Sequence, residues 1–365
     1  MHRNKELINA KKYIDMRILL FCENKYAFDI LMPIQEEADR EGNNEVLWYV
    51  HPKKIKEFPF CNKSKWTDSM QEAYDFSPEA IFCPGNIVPY YLPGVKVQVF
   101  HGYAGEKKGH WIIRHYFDTY FTQGPHFTKG FKELAKKHGD FEVLETGWPR
   151  QDWVAGHMHD FDEEKRRILK EHAKEKLVLY APTFSPSLTS LPVMKEALIE
   201  LVEKKSAVVI IKLHPLTKEE WVTEYKELAR ENRHIIWTDD FSVAKYQLMA
   251  DIMISDTSST IYEFLLKDKP VITYKASAKE IYWKDIHDVN ELCNAYEEVQ
   301  HDSRYIELRK WIIENYDPYC DGKVAKRMLD GVRDYIARHG VPEKRMLNLW
   351  RKYTSIKTFG RIKRR

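Results

Sequence analysis

Residues 16–22 read MRILLFC, an apolar run of strand length, and residues 45–50 read EVLWYV, a second such run. The residues between them follow a helical pattern through Glu37. A strand, a helix and a further strand at this spacing predict a βαβ unit with parallel strands. Further strand-length runs leave room for helices between them: Ala80–Cys83, Val95–Phe100, Tyr116–Phe121, Phe141–Leu144, Leu177–Ala181, Ala207–Ile211, His234–Trp237, Asp251–Ile254 and Val271–Tyr274. We therefore predict an α/β fold with mostly parallel, doubly wound sheets.

The alternation of strands and helices pauses near residue 150 and then restarts. A length of 365 residues with 43% hydrophobic content allows about two domains, each with its own core. We predict an N-terminal Rossmann-like domain over residues 1–150, a C-terminal Rossmann-like domain over 151–340 and a basic amphipathic tail over 341–365. Two such domains predict a ligand-binding cleft that faces the carboxyl ends of both sheets.

Composition excludes several classes of protein. The apolar runs have the length of buried strands, which argues against a transmembrane helix. The first residues lack the pattern of a secretory signal, so the cytoplasm is the default expectation for location. The five cysteines are scattered without a CxxC pair, which argues against a disulfide framework and a cysteine-rich zinc site. A net charge of +3 and the absence of an RNP or OB pattern argue against nucleic acid as a partner.

The tail over residues 341–365 carries nine basic residues and one acidic residue, interleaved with apolar and aromatic side chains. Such a segment suits an interfacial helix on an anionic membrane surface. A solvated, partly frayed C-terminal helix has the same composition. Both interpretations stay open from the sequence.

Polar groups follow several of the predicted strands. Histidine, lysine and glycine follow Phe100, in the loop that begins His101-Gly102. Lys212-Leu213-His214-Pro215 follows one strand of the second half, and Ser255-Asp256-Thr257-Ser258-Ser259 follows another. Residues of these types can bind an anionic ligand, such as a phosphate, and can also take part in a nucleophilic attack on it.

Thr257, Ser258 and Ser259 lie where a strand gives way to a helix predicted from Thr260 to Lys267. Their hydroxyls and backbone N–H groups can face a phosphate at the positive end of the helix dipole. The alternative is that Ser255, Asp256 or Thr257 simply caps the helix, with Glu263 favouring its dipole, and capping is compatible with phosphate binding.

Two histidines are candidates for chemistry. His101 is followed by Gly102, which removes side-chain bulk beside it, and a histidine is the commonest general base at neutral pH. His214, at a strand end before Pro215, is equally explained as a packing histidine with one backbone hydrogen bond. P-loop, GxGxxG and HExxH motifs do not occur, and we predict neither a metal nor a cofactor.

Taken together, these segments resemble the CDP-glycerol:poly(glycerophosphate) glycerophosphotransferases of teichoic acid-type polymer synthesis. The resemblance covers about residues 95–275 and rests on these pieces in this order: His101-Gly102 with Lys107 or Lys108, Gly147–Asp152, Tyr180–Thr183, Lys212–Pro215, Ser255–Ser259 with Glu263-Phe264, and Lys269–Val271. In place of the Thr-Pro that commonly follows His-Gly in the family, this chain has Tyr103–Glu106 before Lys107.

The resemblance implies a GT-B-like pair of Rossmann-type domains that transfers an alditol phosphate, most simply glycerol phosphate, from a CDP-alcohol to a hydroxyl of a lipid-linked or glycan acceptor. It also implies a peripheral location on the inner face of the membrane. His101 matches the family's proposed base and His214 the histidine that contacts the diphosphate. The implied substrate contacts are Gly102, Lys107, Arg150, Thr183, Lys212, Pro215, Asp256, Thr257, Ser258, Ser259 and Glu263.

Two other functions remain compatible with the residues alone. A GT-B glycosyltransferase or an epimerase that uses a nucleotide sugar would also have two Rossmann domains and a histidine in the cleft. A catalytically silent scaffold at the membrane surface would need only the basic tail. Release of CMP distinguishes the first hypothesis from both.

Overall fold

The computed structural model describes residues 16–103, 105, 108–240, 242–343, 345 and 347–363. Its strands are β1 Arg17–Cys22, β2 Glu45–Val50, β3 Trp66–Thr67, β4 Ala80–Cys83, β5 Val95–Gln98, β6 Thr119–Thr122, β7 Glu142–Glu145, β8 Lys176–Tyr180, β9 Ala207–Ile211, β10 Ile235–Trp237, β11 Ile252–Ser255, β12 Val271–Tyr274 and β13 Lys284–Ile286. Its α-helices are α1 Phe28–Glu41, α2 Met70–Asp75, α3 Pro125–His138, α4 Arg150–His157, α5 Asp162–His172, α6 Leu191–Lys204, α7 Glu219–Glu231, α8 Ala244–Met249, α9 Thr260–Leu265, α10 Leu292–His301, α11 Ser303–Tyr316, α12 Val324–His339 and α13 Leu349–Phe359.

The strands form two sheets in which every pair is parallel. The first has the order β3-β2-β1-β4-β5-β6-β7 and the second the order β10-β9-β8-β11-β12-β13. In each sheet the chain starts near the middle and winds outward in both directions, which is the doubly wound topology. The α/β fold with two Rossmann-type sheets is therefore confirmed.

The chain divides into two compact units. The N-terminal unit comprises the described residues of Met1–His101, Trp111–Ala155 and Tyr319–Arg365, and the C-terminal unit those of Gly102–His110 and Gly156–Pro318. This division differs from the predicted boundaries at 150 and 340. The difference arises because the chain returns to the N-terminal unit at Tyr319, well before the basic tail begins.

The apolar runs are buried as their composition requires. In the N-terminal unit Leu19 and Phe21 of β1 are fully buried, and in the C-terminal unit all of β9 is buried to at least 98%. Parallel strands covered on both faces read as near-continuous apolar runs, which is why the sequence identified them. The short strands β3 and β13 were not predicted, since two or three residues show no usable periodicity.

The C-terminal segment is part of the N-terminal unit's core. Phe359 at the end of α13 is 8% exposed and its ring lies edge-on to Phe21, 5.2 Å away between centroids. Tyr91 donates a hydrogen bond to the Gly360 carbonyl (2.9 Å), and Ser355 is fully buried. The interpretation of this segment as a solvated, frayed helix is therefore wrong for one of its faces.

A buried ion pair fixes the start of the same segment. The Arg345 guanidinium, 12% exposed, pairs with Asp118, whose side chain is 6% exposed, and donates to the His115 carbonyl (2.8 Å). Asp118 in turn accepts from the backbone N–H of Lys96 at the start of β5 (2.8 Å).

Within the described residues, no helix combines the length and apolarity needed to cross a bilayer.

Candidate active site

The polar residues singled out in the sequence do follow the carboxyl ends of strands, and they fall into one group in each unit. In the N-terminal unit, His101 follows β5, and Pro84 follows the neighbouring strand β4. In the C-terminal unit, the loops after β9, β8 and β11 lie side by side because those strands are neighbours. Parallel strands place all these loops at one edge of each sheet, which is where ligands of such folds bind.

The backbone around His101 is conformationally strained. Phe100, just before it, has φ 56° and Gly102, just after it, has φ 150°. A left-handed conformation is costly for a bulky residue such as phenylalanine, and such strain is concentrated at functional sites. The strand β5 ends at Gln98 rather than at the predicted Phe100, and His101 is exposed.

One hydrogen bond assigns the roles of the two ring nitrogens of His101. Nδ1 lies 3.0 Å from the Pro84 carbonyl, which can only accept, so Nδ1 carries the proton. In the neutral imidazole the lone pair is then on Nε2. His101 is therefore held in the tautomer that a general base requires, with Nε2 available to take a proton.

The Gly147–Asp152 motif supports this turn. The Trp148 indole N–H donates to the Phe100 carbonyl (3.4 Å), directly before His101. Gly147 has φ 89°, and a Cβ there would lie 2.8 Å from atoms of Tyr319, so only glycine fits. This contact of Trp148 was not predicted from the sequence.

The two charged residues of the motif have local partners. Asp152 accepts from the backbone N–H groups of Val324 (2.9 Å) and Ala325 (2.7 Å), where α12 begins. Arg150, predicted as a substrate contact, starts α4 with its guanidinium 3.8 Å from Asp29 and 5.9 Å from the Trp148 ring. Asp152 thus anchors the returning C-terminal segment.

His214 has the opposite tautomer from His101. Its Nδ1 accepts a hydrogen bond from the backbone N–H of Leu216 (3.1 Å), so in the neutral ring the proton is on Nε2. The ring stacks on Phe184, 4.4 Å away between centroids. Desolvation and the positive charge of Lys212 lower the pKa of His214. A neutral His214 therefore presents an N–H donor, which suits contact with a phosphate oxygen.

Lys212 brings a positive charge to the same loop. Its side chain is largely buried, and its ammonium donates to the Leu213 carbonyl (2.9 Å). Burial lowers the pKa of Lys212, and the carboxylates of Asp240 and Asp239 oppose that shift. An ammonium has three N–H donors, so Lys212 can hydrogen-bond to a ligand while it donates to this carbonyl.

We expect His214 to be neutral with its proton on Nε2 at pH 7. Its lowered pKa means that the unfolded chain, with a pKa near 6.5, binds the proton more readily than the folded protein. The stability it contributes is therefore complete above about pH 6.5 and is lost as the pH falls toward the folded-state pKa. ¹⁵N-detected NMR of the histidine rings, assigned with His214→Ala, should show the Nε2–H tautomer and a titration midpoint below 6.5. A midpoint above 6.5 would contradict the assignment.

Asp256 joins the loops after β8 and β11. It is fully buried and accepts hydrogen bonds from the backbone N–H groups of Thr183 (2.8 Å), Ser190 (2.8 Å) and Thr257 (2.6 Å) and from the Ser190 hydroxyl (3.0 Å). Burial raises the pKa of this carboxyl, and these donors oppose the shift. The contacts of Asp256, predicted as a substrate ligand, are those of a residue that shapes the site.

The three predicted hydroxyl residues line a pocket of about 240 Å³. The Thr257 hydroxyl accepts from the backbone N–H of Ser277 (3.1 Å), and the Ser258 hydroxyl lies 2.8 Å from that of Thr260. Ser259 is exposed, and Trp283 is also part of the lining. The hydroxyls of Thr257 and Ser258 thus make local hydrogen bonds in the lining of a pocket large enough for a small polar ligand.

The helix after these hydroxyls is shorter than predicted. It ends at Leu265 rather than Lys267 and has six residues, so its dipole supplies little. Ser258 accepts from the Thr260 N–H (3.4 Å), while Ser255 donates to the Ala181 carbonyl (2.7 Å). The expectation that Ser255, Asp256 or Thr257 caps this helix is wrong, because Asp256 and Ser255 bind the loop after β8 instead.

The remaining predicted residues have the following positions. Thr183 is half-buried and adjoins Asp256 through its backbone, whereas Glu263 is buried within α9. Pro215 is exposed beside His214, and Gly102 is buried. Lys107 lies outside the described residues.

Comparison with known proteins identifies the family. The model of the CDP-glycerol:poly(glycerophosphate) glycerophosphotransferase family matches residues 102–334, which is more than half of the chain. The chain belongs to this family. The resemblance seen in the sequence is confirmed, and the match includes the loops of His214 and of Thr257–Ser259 in this family member.

Relatives of known function share parts of the chain. A teichoic acid glycerol-phosphate primase of Bacillus spizizenii is 32% identical over 161 residues, which is 43% of this chain and 40% of the primase. A teichoic acid glycerol-phosphate primase of Bacillus subtilis is 25% identical over 246 residues, or 60% of each chain. The chain of this family member thus spans about half the length of the curated relatives it matches.

Solved structures share the fold. The wall teichoic acid polymerase TagF superposes with a TM-score of 0.62 at 16% identity, over 88% of this chain and 89% of that chain. A UDP-GlcNAc 2-epimerase from Neisseria meningitidis gives 0.62 at 11% identity, over 87% and 100%. The GT-B-like fold is therefore confirmed. Because a polymerase and an epimerase have it in common, the family match, and not the fold, separates the glycerophosphotransferases from the nucleotide-sugar enzymes.

Proposed function

We propose that this family member transfers an alditol phosphate, glycerol phosphate first of all, from a CDP-alcohol to a hydroxyl of a lipid-linked or glycan acceptor and releases CMP. The observation that supports it most directly is the opposite tautomers of His101 and His214. One histidine presents a lone pair and the other an N–H donor. Transfer of a phosphoryl group to a hydroxyl needs a base for the hydroxyl and donors for the phosphate charge.

The N-terminal unit acts on the acceptor in this proposal. Nε2 of His101 takes the proton of the acceptor hydroxyl as its oxygen attacks the phosphorus that bears the alditol. The bond between that phosphorus and the bridging oxygen breaks, and CMP leaves with the electron pair. Gly102 supports the presence of space beside the base, since among the described residues no atom beyond its chain neighbours lies within 4 Å of where its Cβ would be.

The C-terminal unit holds the donor. The His214 Nε2–H and the Lys212 ammonium donate to non-bridging or leaving oxygens, where negative charge builds up. The hydroxyls and amides of Thr257, Ser258 and Ser259 bind the diphosphate. Further contacts proposed on family resemblance are made by Arg150, Thr183, Pro215, Glu263 and, outside the described residues, Lys107.

The decisive experiment measures CMP release from CDP-glycerol and CDP-ribitol. The acceptors are octyl glycosides that carry one glycerol phosphate or one ribitol phosphate, and isolated membranes serve as a natural mixture. Acceptor-dependent CMP with either donor establishes the reaction and names the alditol. Turnover of UDP-sugars without any CMP from the CDP-alcohols would contradict the proposal, and so would a protein that binds lipid but turns over neither class.

We also propose that the protein acts at the cytoplasmic face of the membrane and binds anionic lipid through α13. Its inner face packs on the N-terminal unit, while Leu349, Trp350 and Tyr353 are 83%, 74% and 56% exposed. Basic side chains flank them at Arg351 and Lys352. Aromatic and apolar side chains beside basic residues are the combination that binds an anionic interface.

Replacing Leu349, Trp350 and Tyr353 together by serine is expected to weaken vesicle binding by about tenfold or more, because three insertable side chains are lost. Co-sedimentation with vesicles of phosphatidylglycerol and phosphatidylcholine measures the effect. Trp66→Ser is the matched control, since Trp66 is an exposed aromatic residue elsewhere in the same unit (43%). Equal binding by the triple variant and the wild type would contradict the role of α13.

A further inference from the structure

A carboxylate that the proposed reaction does not use lies at the same sheet edge as His101. Glu23 directly follows β1, Pro84 and Gly85 follow β4, and His101 follows β5. Strands β1, β4 and β5 are consecutive neighbours in the N-terminal sheet. The three loops therefore lie side by side.

The contacts between these loops are continuous. The Glu23 Oε2 atom lies 2.6 Å from where a Cβ on Gly85 would be, so the carboxylate sits directly over that glycine. The preceding carbonyl, that of Pro84, binds Nδ1 of His101 (3.0 Å). The ring of Tyr26 lies 5.3 Å from the His101 ring and is 42% exposed. A carboxylate, a phenol and the base thus share one small region.

An ion pair with Lys54 does not account for the position of Glu23. Lys54 contacts Oε1, and Oε2 is the atom over Gly85. The lysine is 40% exposed, so its end of the pair is open to solvent. The Glu23 side chain, 12% exposed, keeps contact with solvent and so with a ligand.

The chemistry of the group indicates the class of ligand. An ionised carboxylate only accepts hydrogen bonds and repels phosphate, so beside a base it selects neutral hydroxyls. Tyr26 can donate or accept and offers a flat apolar face. These groups match the end of an alditol or a sugar, which has a second hydroxyl next to the one that reacts.

We propose that Glu23 is a specificity-determining residue of the acceptor subsite. It accepts a hydrogen bond from the acceptor hydroxyl adjacent to the one that His101 deprotonates. The inference rests on the proposed function and adds that the acceptor must present two neighbouring hydroxyls.

The test pairs Glu23→Gln with loss of that hydroxyl. The acceptors are an octyl glycoside carrying glycerol phosphate and its deoxy analogue carrying propane-1,3-diol phosphate, in which the terminal hydroxyl remains and the neighbouring one is absent. Loss of a charge-assisted hydrogen bond raises the acceptor KM about 10- to 100-fold in Glu23→Gln, while the donor KM stays within about twofold. For the wild type, the deoxy acceptor should have a KM raised about as much as the KM of the full acceptor is raised by Glu23→Gln. For Glu23→Gln, the KM of the deoxy acceptor should rise no further. Additive losses would overturn the contact.

Two further variants separate recognition from structure. In Gly85→Ala the new methyl group pushes the flexible end of Glu23 aside, and acceptor KM should rise as in Glu23→Gln. In Lys54→Met the ion pair is lost while the carboxylate remains, and acceptor KM should change by about threefold or less. If Lys54→Met reproduces the full loss of Glu23→Gln, Glu23 acts through the ion pair and the proposal fails. Equal melting temperatures show that the variants fold.

Failure of the proposed function would look different. If the wild type releases no CMP from either donor, saturation-transfer NMR still measures binding of the octyl glycoside to the wild type and to Glu23→Gln. Weaker binding by the variant supports the subsite. Equal binding, or no binding to the wild type, overturns it.

Discussion

Replacing His101 by alanine is expected to lower kcat for CMP release by about 10²–10⁴-fold, the usual contribution of a general base. The donor KM should stay within about twofold, because the proposed donor contacts of the C-terminal unit are intact. The melting temperature should change little, since the side chain is exposed and gives up one hydrogen bond, that to the Pro84 carbonyl. Steady-state kinetics at saturating acceptor, with calorimetry of both proteins, measures these quantities.

The control for this variant is His138→Ala. His138 ends α3, which leads into the start of β7, so it lies at the opposite edge of the same sheet. We expect wild-type kinetics for it. A His101→Ala enzyme that retains more than a tenth of wild-type kcat would exclude His101 as the base.

Replacing Asp256 by alanine is expected to lower the free energy of unfolding by roughly 3–5 kcal/mol, since several largely buried donors lose their acceptor at once and each costs about 1–3 kcal/mol. The donors come from Thr183, Ser190 and Thr257, so the loops after β8 and β11 separate. Activity should fall with them, because Thr257 is displaced. Urea unfolding of the variant and the wild type measures the loss.

The variant Asp256→Asn shows whether the loss of stability in Asp256→Ala comes from lost hydrogen bonds or from lost side-chain volume. Its amide oxygen still accepts from Thr183 and Thr257, and its NH₂ can donate to the Ser190 hydroxyl, so we expect a smaller loss of roughly 1–2 kcal/mol. If alanine and asparagine cost the same, or if alanine costs less than about 1 kcal/mol, Asp256 does not join the loops as described.

The order of the main strands along the chain was predictable because each coincides with a short run rich in apolar or aromatic residues. The return of the chain to the N-terminal unit was not. Ser355 and Phe359 look like ordinary members of an amphipathic helix, and the pattern does not specify which surface covers them. Long-range packing of this kind depends on shapes contributed by distant segments.

The site was predictable in its residue types but not in its roles. His101 and His214 stood out in the sequence, but their tautomers depend on the Pro84 carbonyl and the Leu216 N–H, which only the fold brings near. Asp256 looked like a ligand because it stands among hydroxyls. Its burial and its four donors, which join two loops, were not visible in the sequence. Glu23 was missed because it carries no motif and is recognisable only through Gly85.

The contacts of Phe359 and Arg345 with the N-terminal sheet also bear on biosynthesis. A ribosome makes β1 and β5 hundreds of residues before it makes the side chains that cover Phe21 and neutralise Asp118. The C-terminal unit, apart from its Gly102–His110 segment, is contiguous in the chain and can fold while the first sheet still lacks part of its covering. The half that carries the proposed base is therefore the last to be completed, and the nascent chain can complete the half proposed to hold the donor first.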